Sequence, residues 1–342
     1  MRIPTEEEIL KNWTDDRKRP VVSFLCTSYN QDMYIEDTIK GFLIQRTPYP
    51  FEIIIHDDNS LDNTQNIILQ YQSKYPRIIK TILQEENQYS QGKSTLLIGL
   101  HLCNSEYIAI CEGDDYWINP NKTVNQLKEM FDDTDITMVV SQGKAEQNGK
   151  VIDPVIGYHG NRLRKISAQY ILDNPGSLAP TASYLVKKRY LIEALETFKD
   201  APVGDLFIEL YNAVYGKLIY YPEVVCVYRK MAKNSWSASM ALSLNNAIKH
   251  SEAMQKTIDK SKELDGFEGL DWSSSRAGSL FNLAINHLYQ NDIDGFKKYI
   301  ILSSAYKEPK GRKKIIFKMR SYGQFLYYAL HIRKYIQSKF RS

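Results

Sequence analysis

Between Val21 and Cys111, four short apolar runs alternate with stretches of helical periodicity, and this alternation restricts the fold more than any other feature of the chain. Residues 21–27, 51–55, 78–83 and 107–111 are apolar enough to be strands covered on both faces, as in a parallel sheet. Between them Ile35, Ile39, Phe42 and Leu43, then Ile67, Ile68 and Tyr71, then residues 93–102 keep helical spacing. Asp32 is the expected N-cap of the first helix, with Pro48 and Pro50 ending it. Such a pattern predicts a doubly wound α/β sheet with ligands at the carboxyl ends of its strands.

Three polar clusters fall at those ends: residues 27–30, 57–62 and 112–115. The last, Glu112-Gly113-Asp114-Asp115, sets three carboxylates within four residues where an apolar strand leaves the core. Like charges this close push at least one pKa upward. A divalent cation with oxygen ligands and a phosphate on its far side relieves that repulsion. An isolated Asp pair is more often a solvated turn, but the convergence of three clusters on one crevice reverses that preference.

The second half is less regular. Turn signals crowd residues 141–180, a strand is expected at 182–186 and a helix at 189–198. Pro202-Val203-Gly204-Asp205 precedes a further helix that ends at Gly216, and two short strands, 218–221 and 224–228, flank Pro222. Residues 230–240, around Trp236, read as a loop. Helical periodicity then runs to the end, with an antiparallel pair at 280–288 and 293–302. Residues 315–340 read as one amphipathic helix with Ile315, Met319, Tyr322, Leu326 and Leu330 on a shared face. Gly92-Lys93-Ser94-Thr95 lacks the earlier glycine of a phosphate loop, because that position is Asn87. It reads as an ordinary helix start.

The 342 residues suffice for one large α/β domain with an appendage. Net charge is only +4, but from Pro309 onward there are ten basic residues and no acidic one. Cys26, Cys103, Cys111 and Cys226 lie mostly in apolar runs without paired spacing, which suits small core residues in a reducing compartment. The first 20 residues lack an apolar signal stretch and no window reaches spanning length. The expected location is cytoplasmic, or peripheral on the inner face of the cell membrane.

Five short stretches, in this order and spacing, resemble the family 2 glycosyltransferases of GT-A fold over residues 21–236: Val22-Ser23-Phe24 through Tyr29-Asn30, Asp57-Asp58-Asn59-Ser60-Leu61-Asp62-Asn63-Thr64, Glu112-Gly113-Asp114-Asp115-Tyr116-Trp117, Gly204-Asp205 and Val227-Tyr228-Arg229. The resemblance implies a Rossmann-like doubly wound mixed sheet with a C-terminal helical appendage. Its parts would be an extension, 1–20, a catalytic domain, 21–240, and a helical region, 241–342, ending in the basic tail 310–342. The catalytic domain would divide into a nucleotide-sugar half, 21–120, and an acceptor half, 121–240.

By the same resemblance, Thr27, Ser28, Tyr29 and Asn30 cradle the nucleotide, and Asp58, with Asp57 beside it, accepts from the base imide. N-capping fits Asp62 better than either. Glu112, Asp114 and Asp115, with Gly113 against the donor, take the place of the acidic motif that binds Mn²⁺ or Mg²⁺. Asp205 matches the catalytic base, Arg229 faces the diphosphate, and Trp236 lies on a loop closing over the donor. Met231 stands where many relatives have a further His ligand. His56 is a structural group beside the acidic residues, and the other histidines form no spaced set.

The implied reaction is inverting, metal-dependent transfer of a sugar, most simply from a UDP-sugar. The acceptor would be a hydroxyl of a growing surface polysaccharide, a lipid-linked oligosaccharide or another glycan. Two rivals remain: a sugar nucleotidyltransferase, for which residues 28–33 lack the glycine-rich basic loop, and an inactive scaffold of the same fold that binds nucleotide or partner proteins. The tail either packs on the protein or lies on an anionic membrane surface. Nucleic acid is not an expected partner, since the positive charge is confined to the end and no recognition motif accompanies it.

Overall fold

A computed structural model describes residues 2–17, 19–174, 176, 178–233 and 243–329, apart from the side chains of Asp153 and Pro154. The chain divides into two compact units, Met1–Ile171 with Gly176–Lys199 and Val203–Ser235, and Leu172–Pro175 with Asp200–Pro202 and Trp236–Ser342.

In the first unit α1 (Glu6–Lys11) precedes β1 (Val22–Ser28), α2 (Ile35–Leu43), β2 (Phe51–Asp57), α3 (Thr64–Lys74), β3 (Ile79–Leu83), α4 (Thr95–Leu102) and β4 (Tyr107–Ile110). The near-continuous apolar runs of β1 and β2 are buried almost throughout, as strands covered on both faces must be. β1 pairs in parallel with β2 on one side and β4 on the other, which brings Ser28 level with Asp57 and Leu25 level with Ile110. The order β3-β2-β1-β4 reverses between β1 and β4. That reversal is the crevice in which open α/β sheets bind ligands.

The chain continues through β5 (Tyr116–Trp117), α5 (Lys122–Asp132), β6 (Ile136–Gln147), β7 (Lys150–Ile156), β8 (Arg164–Ile166), α6 (Ala168–Asp173), β9 (Leu185–Lys187), α7 (Lys188–Thr197), α8 (Asp205–Tyr215) and β10 (Lys217–Arg229). β9 lies antiparallel between β4 and β6, β10 runs parallel to β6, and β5 closes antiparallel on β10. The sheet is therefore mixed. An aromatic knot fixes α2 over it: the Phe24 ring lies 4.6 Å from Phe51 and 5.0 Å from Trp117. Gly41 makes that approach possible, because a Cβ there would stand 2.8 Å from the Trp117 main-chain nitrogen.

The second unit holds α9 (Leu244–Ser261), α10 (Ser273–Tyr289), α11 (Ile293–Tyr306) and α12 (Gly311–Lys318), followed by a 3₁₀ turn, Arg320–Tyr322. Phe281, Ala284, Leu288, Phe296 and Ile300 form the core between α10 and α11. Asp292 caps α11 by accepting from the Gly295 N–H at 2.9 Å. None of the described helices is long and apolar enough to cross a membrane.

Several expectations need correction. Asp32 does not cap α2: a preceding turn directs the Tyr34 and Ile35 N–H groups to the Gln31 carbonyl, while the Asp32 N–H donates to Asp62. Nor does Pro48 end α2, which stops at Leu43. The irregular middle opens with a 12-residue strand, β6, turned into β7 by Asn148-Gly149, both at positive φ (54° and 71°) as a type I′ hairpin requires. The strand expected at 182–186 begins only at Leu185, after a 3₁₀ turn at Thr181–Ser183. Pro222 does not split β10, which absorbs it through register shifts between Tyr221 and Cys226. The single terminal helix is broken at the Arg320–Tyr322 turn. Trp236 and residues 330–342 lie outside the described residues.

Candidate active site

The loops that follow β1 and β2 are stitched to each other. Asp57 is fully buried and accepts from Ser28 Oγ (2.9 Å), Ser60 N (2.9 Å), Ser60 Oγ (2.5 Å) and Gln65 Nε2 (2.7 Å). Asn30, in the left-handed region at φ 53°, donates its N–H to Ser60 Oγ and accepts from Leu61 N. Asp58 is 2% exposed, and its two oxygens accept from Gln88 N (2.7 Å) and Tyr89 N (3.0 Å). The expected base-imide contact would thus have to use a second lone pair of an already bonded carboxylate. Asp62 accepts from the N–H and hydroxyl of Thr64, the first residue of α3. Its carboxylate therefore satisfies one of the orphan donors of that helix. Thr27 is half-buried, and Tyr29, 38% exposed, faces outward from this rim.

Across the β1/β4 crevice lies the acidic turn. Its backbone is tied down by Gly113 N to the Thr27 carbonyl (3.0 Å), and by the Thr38 hydroxyl to the carbonyls of Gly113 (3.0 Å) and Asp115 (2.6 Å). Glycine suits position 113, since a Cβ would stand 2.9 Å from Ser28 Cβ as well as meeting Gln31 Oε1. Asp115 is 3% exposed, with Oδ1 accepting from the Arg229 N–H at 2.9 Å. Burial, then the charges of Asp114 and Glu112, push its carboxyl well above the usual range, against the pull of Arg229. Burial and the Asp114 charge push Glu112 up to about 7, with a further contribution from Asp205. Asp114 is raised by burial and held back in part by Arg229.

Arg229 acts as the brace of this turn. Its guanidinium bonds to Glu146 (3.1 Å), to Asp37 (2.5 Å) and to the Asp114 carbonyl (3.1 Å), and it lies 4.4 Å from the Tyr116 ring centroid and 5.1 Å from that of Tyr34. Its side chain is 9% exposed. The expected diphosphate ligand is thus held against the acidic turn, with each of its three nitrogens donating one hydrogen bond to the protein. Met231, two residues on, is half-exposed and at φ 57°.

Asp205 opens α8, exposed, with Oδ1 accepting from Leu206 N at 2.7 Å. One helical turn on, Glu209 is 5% exposed and accepts from the Tyr184 hydroxyl. Burial and the Asp205 charge hold the Glu209 carboxyl well above the ordinary range. The Tyr184 carbonyl in turn accepts from Ile110 N, the last residue of β4, and from the buried Lys122 ammonium, both at 3.3 Å. Burial pushes Lys122 down to about 7, and it sits 4.3 Å from the Trp117 ring centroid. Glu209 and Tyr184 thereby tie the helix carrying Asp205 to the strand carrying the acidic turn. Sequence reading passed over both, although a glutamate inside the apolar run Phe207-Ile208-Glu209-Leu210 was a signal.

Whether this site suits a divalent cation depends on its donor set. Among the described residues no three His, Cys, Asp or Glu side chains converge to enclose an ion. The residues fit instead an open-sided cation held by one or two carboxylates and completed by phosphate and water, the usual arrangement for Mg²⁺. The four cysteines are buried and free, and raised thiol pKa values follow from burial.

Comparison with known proteins bears on the family and the fold. The profile described as Glycosyl transferase family 2 matches residues 23–192. An uncharacterized glycosyltransferase of Nostoc sp. is 30% identical over 234 residues, which cover 66% of this chain and 70% of that protein. A putative teichuronic acid biosynthesis glycosyltransferase of Bacillus subtilis is 31% identical, over 43% of this chain and 54% of its own. An uncharacterized Mycobacterium tuberculosis protein is 29% identical over 64% of this chain, and the match spans 61% of that relative's length. Among solved structures, Staphylococcus aureus TarS 1–349 in complex with UDP-GlcNAc has a TM-score of 0.57 at 15% identity, covering 93% of this chain and 92% of that one. The fold is accordingly of the GT-A type, with helices at the C-terminus.

Proposed function

This chain belongs to glycosyl transferase family 2, and from that premise we propose that it is an inverting, metal-assisted glycosyltransferase. It moves a sugar from a nucleotide-diphosphate sugar, most simply a UDP-sugar, to a hydroxyl of a surface polysaccharide or lipid-linked glycan. One observation carries the reading: the Glu112 carboxyl, raised first by burial, feels the charges of both Asp114, two residues on in the acidic turn, and Asp205, at the start of α8. A charge cluster that repels itself is held in the folded state, and a cationic ligand stabilises it.

Asp205, fixed at the first turn of α8, takes the proton of the acceptor hydroxyl as that oxygen attacks the anomeric carbon from the side opposite the diphosphate. A single displacement of this kind inverts the anomeric centre. Mn²⁺ or Mg²⁺, held by Asp115 and Asp114 with Glu112 beside them, would neutralise the charge growing on the leaving diphosphate. Arg229 keeps the acidic turn in register from behind. Thr27, Ser28, Tyr29 and Asn30 line the nucleotide side, with Asp57 and Asp58 stiffening that wall and Gly113 giving the donor close access.

UDP-GlcNAc bound to TarS and a teichuronic acid role in a relative support the donor and acceptor classes. The test is hydrolysis and transfer with a panel of UDP-, GDP- and dTDP-sugars, with Mn²⁺ or chelator, alongside Asp115→Ala and Asp205→Asn. Turnover of one donor that chelator and both substitutions abolish is the expected result. Absence of donor binding under every condition would favour the inactive scaffold.

A further inference from the structure

The basic C-terminal segment carries two apolar faces, and the protein buries only one. Ile316, Phe317, Leu326 and Tyr327 pack against the α10–α11 core, and Gly323 lies close enough to Ile293 that a Cβ would come within 2.7 Å of it. Over the helical residues 323–329 this inner face is an arc through 323, 326 and 327. Tyr322, Phe325 and Tyr328 recur at three-residue spacing on the other side, exposed at 67%, 61% and 56%. Ile315 is 60% exposed on α12, a helix with no buried residue. Exposed cations accompany them, Arg312, Lys313, Lys314 and Lys318 among them, and no acidic residue occurs from Pro309 to the end.

A surface helix that serves only its own domain turns its apolar residues inward. Here aromatic rings stay in water beside exposed cations, of which Lys314 pairs with Glu308 at 3.0 Å while Arg312 and Lys318 add further positive charge, and this is the composition of a surface that sits at the headgroup level of an anionic bilayer. We propose that residues 310–329 form a docking surface for anionic phospholipid membrane. The two alternatives for the tail merge: one face anchors it to the second unit, the other meets lipid. Membrane docking is independent of the transferase reading, since vesicle binding requires neither donor nor metal.

The test is co-sedimentation of the full chain with vesicles of phosphatidylcholine alone or with about 30% phosphatidylglycerol. Binding is expected only with the anionic lipid, weakening as salt rises from about 0.1 to 0.5 M. Tyr322→Ser/Phe325→Ser/Tyr328→Ser should lower it at least tenfold, and Arg312→Gln with Lys318→Gln about fivefold per charge removed. Asp115→Ala should bind vesicles normally, so failure here and failure of the transferase reading are separable. No binding of the parent protein to anionic vesicles overturns the proposal. So does equal retention on a single-stranded oligonucleotide with no loss in the aromatic variant, which assigns the surface to polyanions. A dimer in sedimentation that the aromatic variant dissolves assigns it to a second copy of the chain.

Discussion

Two strand ends in this protein carry paired aspartates, and they are opposites. Asp57 and Asp58, at the end of β2, receive six hydrogen bonds from Ser28, Ser60, Gln65, Gln88 and Tyr89. Asp114 and Asp115, beyond β4, receive from other residues the Arg229 N–H at Asp115; burial raises both carboxyls, and the charges of Asp114 and Glu112 raise Asp115 further. The first pair is hydrogen-bonded by the protein's own donors and shapes a wall. The second stays raised in spite of the pull of Arg229, which is what a site for a cationic ligand looks like before that ligand binds. Sequence alone makes the two pairs look alike, so the number of internal donors distinguishes scaffold from site.

That contrast can be broken experimentally. Asp205→Asn should reduce transfer about 10²–10⁴-fold with donor affinity retained, as loss of a general base does; unchanged single-turnover rates would remove the assignment. Asp115→Ala should cost about 10²–10³ in kcat, the scale of a lost electrostatic stabiliser, with little loss in thermal stability because repulsion is relieved as one hydrogen bond goes. Asp57→Ala should do the reverse, lowering stability in urea by about 3 kcal/mol or more through its stranded donors. If Asp57→Ala unfolds no more easily than Asp115→Ala, the contrast between the two pairs fails.

A smaller effect concerns Glu209. Its folded pKa is raised, so the folded state holds a proton that the unfolded chain releases above the ordinary carboxyl range. Its contribution to stability is complete at low pH and is lost as pH rises through the folded value. Melting from pH 5 to 8 should therefore fall more steeply in the parent than in Glu209→Gln, which is expected to be the more stable of the two at pH 8. Parallel melting curves would show that Glu209 does not titrate in this way. Tyr184→Phe, which loses only the hydroxyl, should slow transfer severalfold without altering the donor KM, and a change confined to KM would deny it a role in placing Asp205.

Much of the first half was legible because β1, β2 and β4 are continuous apolar runs, and a strand covered on both faces can hardly be written otherwise. The second half was harder. β6 begins with an equally apolar stretch, Ile136-Thr137-Met138-Val139-Val140, but its later residues, Ser141 to Gln147, are polar where the strand runs out beside β7. In β10, Pro222 suggested a break, yet the pairing shifts register and continues. The motif gave Arg229 its place, but not its ion pairs with Asp37 and Glu146, which lie far away in the chain.

Local chemistry written in consecutive residues was readable from the sequence alone: apolar strands, a glycine between carboxylates, an aspartate opening a helix, a cationic end. These depend on near neighbours and on the simple periodicity of strands and helices. Only the tertiary structure decided which charges are already answered. Asp57 meets Gln65, Arg229 meets Asp37, and Glu209 meets Tyr184 because the sheet brings separated segments together. Electrostatic demand is set by distance and burial in space, and neither is fixed by position along the chain.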